Sequence, residues 1–276
     1  MRCVVMLMLG LIVGMALGAM LVKPRDGEGE GKKKEERPTE APQAAPEPTE
    51  PAKPVPLPKD KATANVHGRV RFKGTKQAEW TAAIDTSNYE TCAALHKDKP
   101  LHHQTVVVGE DGGLANVLVY VSQGAERYLF EPATEPVVLE QKECQYSPRV
   151  FGVMANQPIK IVNADPTLHN IHALPKQNAG FNLQQPKQGQ ADVKRFDTPE
   201  VPIPIKCDVH PWMGAYAGVF AHPWFAVSGA DGGFELKGVV PGAYTLTLWH
   251  EKFGSQSKDL TVTEGGAAVE FTIELK

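Results

Sequence analysis

From Ala64 to the C-terminus no stretch of this chain sustains a helical period, and that constrains its fold most. The segment consists instead of short runs rich in Val, Ile, Thr, Tyr and Phe, such as NVHGRVRF, PIKIVNAD, GAYAGVF, AYTLTLWHE and AVEFTIELK. Turn signals divide them, among them Glu110-Asp111-Gly112-Gly113 and Asp231-Gly232-Gly233. Runs of this length and composition, broken by Gly, Pro, Asn and Asp, predict strands in an all-β sandwich. A short helix is expected only around Tyr89 to His96.

The N-terminal part is different material. Cys3 to Val22 is twenty residues without a charge, preceded only by Met1 and Arg2. As a helix it spans the ~30 Å hydrocarbon core of a bilayer. Residues 1–22 therefore read as an uncleaved transmembrane anchor or as a signal peptide, for which Ala16-Leu17-Gly18 offers a cleavage site. Residues 23–62 are rich in Pro, Glu and Lys and poor in large apolar side chains, so a disordered linker is expected. Lys23 to Lys61 would reach roughly 35 Å as a coil and ~120 Å as extended polyproline. Either reading of the first segment exports the rest, to the periplasm or cell surface, where disulfides persist. A formal charge of −3 with no basic stripe argues against nucleic acid as a partner.

One loop carries most of the chemistry. Residues 206–213 read KCDVHPWM, placed between the predicted strands PIPIK and AYAGVF. Cys207 offers a thiolate, His210 an imidazole and Met213 a thioether. One cysteine, two histidines and a weak axial thioether define the trigonal blue-copper electron-transfer centre. The loop lacks the second histidine, which has to come from another strand. Upstream, residues 161–172 read IVNADPTLHNIH and supply His169 and His172.

VNADPTLHNIH and CDVHPWM together resemble the cupredoxins, in which a His-Asn at a strand end is followed by Cys-x2-His-x2-4-Met in the last loop. The two-residue gap before Met213 is most similar to the amicyanin version. The resemblance implies a Greek-key sandwich over residues 63–222. It also implies one mononuclear copper held by His169, Cys207, His210 and Met213, with Asn170 tying the ligand loops together from outside the ligand set. His172 is the alternative to His169, and zinc is the alternative metal. No proline precedes His210 directly, a departure from the common pattern. The chain has no His-x-His, and Cys207 is flanked by Lys206 and Asp208, so coupling to a trinuclear cluster is not expected.

With Cys207 assigned to copper, Cys92 and Cys144 remain as an even pair, and a disulfide is expected in an oxidising compartment. His96, His102 and His103 are the alternative partners of these cysteines, in a second metal site. His67, His222 and His250 read as structural or surface groups. Trp212 and Trp224 are expected to pack near the metal loop. Residues 223–276 resemble the carboxypeptidase regulatory-like (transthyretin-like) β-sandwich, through Asp231 to Phe234 and Pro241 to Tyr244. The strand near Val66 to Phe72 is a candidate to complete that module, with the metal-bearing region inserted. The expectation is an exported, membrane-tethered, non-enzymatic blue-copper protein that passes single electrons between redox partner proteins. Copper delivery and a structural envelope module are the alternatives.

Overall fold

The computed structural model describes residues 53–275. The apolar segment 1–22 and most of the linker lie outside them. Among the described residues no helix is long and apolar enough to cross a membrane. Among the described residues the fold is all-β: the helices there are two 3₁₀ turns and the short helix Glu90–Leu95, where the sequence predicts one.

Two cores organise the strands. The first is filled from a five-stranded sheet and a facing four-stranded sheet. The five-stranded sheet places Phe181–Gln185, His169–Ala173, Glu200–Lys206, Gly214–Phe220 and Val150–Met154 side by side. Ala191–Lys194, Ile159–Asn163, Val137–Lys142 and Gln145–Ser147 form the other sheet. Leu139, Ile159, Ile161, Ile171, Ile203 and Val219 pack between them. Along Val137–Lys142 and Ile159–Asn163 buried and more exposed residues alternate, so one residue of slippage would turn the core face outward.

The second core divides the chain differently from a boundary at residue 223. Ala64–Lys73 lies between Gly233–Val239 and Ala267–Glu274, parallel to the latter. Leu118–Gln123, expected among the metal-bearing strands, pairs instead with Phe225–Val227 and Gly242–His250. Its Val119 and Val121 fill the same core as Val66, Val70, Leu246 and Phe271. Alternation marks a half-buried strand but does not name its neighbour. Two turns recognised in sequence meet here: a Cβ at Gly113 would lie 1.9 Å from the carbonyl oxygen of Asp231.

The end of the expected linker is ordered. Val55–Pro56 pairs in parallel with Tyr128–Leu129, and Leu57 and Ala62 pack against the second core. Apolar contacts at these two residues offset part of the cost of ordering this short stretch. Arg149 and Glu251 link the two strand systems through a nearly buried two-pronged ion pair, 2.5 and 2.7 Å.

Two buried histidines set the acid limit of this fold. His222 is neutral in one tautomer: Nε2–H donates to the Val121 carbonyl at 2.9 Å and Nδ1 accepts the Trp224 amide at 3.2 Å. Burial holds it down at about 4. His250 is fully buried, and burial together with the charge of Arg149 holds it at about 4. Below the ordinary histidine value of 6.5 the unfolded chain takes up protons that the folded chain refuses. Stability is therefore expected to fall as the pH drops from 6.5 toward 4, by up to about 3 kcal/mol for each histidine. Urea denaturation at about pH 7 and about pH 4.5 measures this loss.

Candidate metal centre

The loop Cys207 to Met213 closes a hairpin whose strands pair at Lys206 and Gly214. Two backbone hydrogen bonds tighten it, Cys207 N–H to the Met213 carbonyl (3.1 Å) and Met213 N–H to the His210 carbonyl (3.0 Å). The neighbouring strand His169–Ala173 pairs with Lys206 through His172, which brings its first residue beside the loop. His169, Cys207, His210 and Met213 are all buried, at 0%, 3%, 3% and 2% exposure.

Donor atoms of His169, Cys207 and His210 lie within 4.8 Å of one another. The two Nδ1 atoms are 3.0 Å apart, and Cys207 Sγ is 3.7 Å from His210 Nδ1. Metal–nitrogen bonds of about 2.0 Å and a metal–sulfur bond of about 2.3 Å, at near-tetrahedral angles, set donors about 3.3–3.6 Å apart. The spacing fits one first-row ion. The other ring nitrogen of His169 meets the carboxylate of Asp165 at 2.9 Å, which places the proton on Nε2 and leaves the Nδ1 lone pair facing His210. Burial pushes the Cys207 thiol up, but the neighbouring imidazoles of His169 and His210 and the amides of Asn170 and His210 outweigh it and bring it to about 6. A thiol this acidic is readily present as the thiolate that binds metal.

Asn170 joins the two segments. Its Oδ1 accepts the Cys207 thiol at 3.2 Å and the Asp208 amide at 2.7 Å, and its Nδ2 donates to Asn182 (2.7 Å) and Asp208 (3.1 Å). His172, three residues beyond His169, falls on the opposite face of the strand and meets the Asp208 carboxylate at 3.0 Å. Nothing brings it to Cys207.

Asp165 is a residue that the sequence reading misses, although it stands four positions before His169. Burial raises its carboxyl; the hydrogen bonds from His169 and from the Cys144 and Glu143 amides reverse this and hold it below the usual range. Those amides donate at 2.7 Å (Glu143) and 2.8 Å (Cys144). They belong to a two-residue turn in which both residues are left-handed, φ 52° each. Non-glycine residues there need outside support, and Asp165 supplies it. Asp165→Asn turns an amide NH₂ toward one of three donors. Metal affinity is expected to fall ~10–100-fold, read by competition with a chromogenic chelator.

Cys92 and Cys144 form a disulfide. It lies against the donor cluster: its sulfurs and a nitrogen of His210 are within 4.8 Å of one another, as are the Cys144 sulfur, Asp165 and His169. The disulfide fastens the helix Glu90–Leu95 over the loop. Tyr89 stands 5.2 Å from the ring of His210 and 4.7 Å from Trp212, edge-on to the latter. Trp212 donates Nε1–H to the Cys144 carbonyl at 2.9 Å. Trp224, expected near this loop, belongs to the other core, packed against Tyr128, Phe130 and Tyr244. His96 meets the carbonyls of Glu143 (2.8 Å) and Lys99 (3.1 Å), and His102 that of Thr81 (2.8 Å); neither joins the disulfide cysteines in a shared donor group.

The family model for polysaccharide lyase family 4, domain II, matches residues 224–269. No curated protein matches the chain. Many solved structures share local likeness with it, among them the following three. A Cu-containing nitrite reductase from Thermus scotoductus SA-01 is 21% identical over 37% of this chain, with a TM-score of 0.29, and the match spans 25% of its own length. A purple cupredoxin from Nitrosopumilus maritimus is 18% identical over 30% of this chain and 98% of its own, with a TM-score of 0.27. A methionine-to-alanine mutant of amicyanin in its Cu(I) form is 21% identical over 32% of this chain and 86% of its own, with a TM-score of 0.28. Scores this low leave the centre to be judged on its own donors.

Proposed function

We propose that this protein binds one copper ion through His169, Cys207 and His210, with Met213 as the weak fourth donor, and carries single electrons. The observation that carries the reading is the buried convergence of one thiolate and two imidazoles from separate segments. Copper held by such a set exchanges one electron between Cu(I) and Cu(II). The residues around it favour little rearrangement: Asp165 fixes His169, Asn170 holds the Asp208 amide next to Cys207, and two backbone bonds fix the loop. In this reading residues 1–22 anchor the protein to a membrane or direct its export, and the polar linker lets the folded part reach redox partner proteins outside the cytoplasm. The C-terminal strands act as a carboxypeptidase regulatory-like module that supports the metal-bearing one.

Copper delivery is the second reading. Its support is the donor set itself, since a thiolate with two imidazoles also suits tight Cu(I) binding. Loading the purified protein with Cu(II) decides between them. Intense visible thiolate-to-copper absorption with reversible one-electron cycling supports electron transfer, whereas tight Cu(I) binding without reversible cycling supports delivery.

A further inference from the structure

We propose that Cys92, Cys144 and His210 form a second soft-metal site, for Cu(I), that opens only when the Cys92–Cys144 disulfide is reduced. The three donors lie within 4.8 Å of one another, and all three residues are buried, at 0%, 0% and 3% exposure. In the disulfide each sulfur is committed to the other and binds metal poorly. Reduction by a dithiol breaks the S–S bond with two electrons and two protons and leaves two thiols, while the reductant closes its own disulfide. A metal ion then displaces both protons, and two thiolates with one imidazole make a soft set suited to Cu(I).

The site requires both sulfurs to stay in place after the bond opens, and the surroundings provide for that. The Cys144 turn is held by the Asp165 carboxylate on two amides, by Trp212 on the Cys144 carbonyl and by His96 on the Glu143 carbonyl. Cys92 sits on a helix whose preceding residue, Tyr89, packs on both His210 and Trp212. None of these contacts uses the S–S bond. His210 also faces Cys207 and His169, so the two positions share one imidazole and are coupled through it. Metal entering at the reduced cysteines competes for a ligand of the proposed copper centre, and the thiol–disulfide state then governs where the ion sits.

The experiment uses the full chain carrying Cys207→Ser, which removes the thiolate of the first site and keeps the disulfide. The disulfide and reduced forms, freed of reductant without oxygen, are titrated with Cu(I) against a chromogenic chelator and separately with Co(II). The reduced form is expected to hold a further equivalent of Cu(I), at least about tenfold tighter than the disulfide form. It should also give thiolate-to-Co(II) charge-transfer absorption that the disulfide form lacks. Adding His210→Ala should weaken Cu(I) binding by more than the ~10–100-fold typical of residues one step outside a metal, and leave the charge-transfer band. Equal Cu(I) binding by the two forms overturns the proposal. So does a reduction-dependent gain that survives Cys92→Ser, or a reduced chain whose circular dichroism shows the β-structure lost. Copper binding by the disulfide form of the unaltered protein tests the first site separately, so either reading can fail alone.

Discussion

The copper-loaded Cys207→Ser protein is expected to show no intense visible absorption and no reversible one-electron wave. The band requires a thiolate bound to Cu(II), and Cys207 is the sole free cysteine among the described residues. Replacing sulfur with a hydroxyl also removes the soft donor that favours Cu(I), so affinity for that ion should fall by more than the ~10–100-fold typical of residues one step outside a metal. The fold should survive: Ser is close to Cys in size, and the neighbouring Asn170 Oδ1 accepts a hydroxyl as readily as a thiol. Visible spectra, voltammetry and circular dichroism on one preparation separate loss of the centre from loss of structure. A Cys207→Ser protein that kept the band and the wave would remove the thiolate from the account.

Removing the Cys92–Cys144 bond by Cys92→Ala with Cys144→Ala should cost about 4 kcal/mol. The disulfide closes a loop across a sequence separation of 52, and cross-linking a loop of that length restricts the unfolded chain by roughly this amount. For a folded part of this size the melting temperature should fall by about 10 °C. The loss has a location as well as a magnitude. Trp80 anchors one end of the segment in the second core against Phe72, and beyond it the cross-link is the only covalent hold on the helix over His210. Amides from about residue 84 to residue 101 should therefore exchange with solvent faster, while the central strands keep their protection. Hydrogen exchange followed by mass spectrometry distinguishes this from uniform loosening.

Legibility in the sequence follows the range of the interaction. Cys207, His210 and Met213 sit on one short loop, so their proximity is local and readable from spacing. His169 is readable because it opens a strand that pairs beside that loop, and because the alternative, His172, is an odd number of residues away and must face the other side. Three features depend on distant pairing, to which alternation is blind: Leu118–Gln123 joining the C-terminal strands, Trp224 entering the second core, and Tyr89 closing over His210. Asp165 carries a faint signal, its interval of four before His169, but in an extended chain that interval places nothing. Only the turn between the two positions brings carboxylate and ring together. The ordering of residues 53–62 escapes a reading by composition, which two apolar contacts in ten residues scarcely alter, yet they help to fasten the chain.

Ala64–Lys73 takes both of its neighbours from the last forty-odd residues, with Ala267–Glu274 running parallel to it. A ribosome makes this strand before those partners, so it must remain unpaired while everything between is synthesised. The metal-bearing strands take no strand partner made after Phe220, so their sheets, disulfide and ligand loop can form during that interval. Pairing of Ala64–Lys73 then follows the metal-bearing strands, and damage to the late strands should leave those already formed.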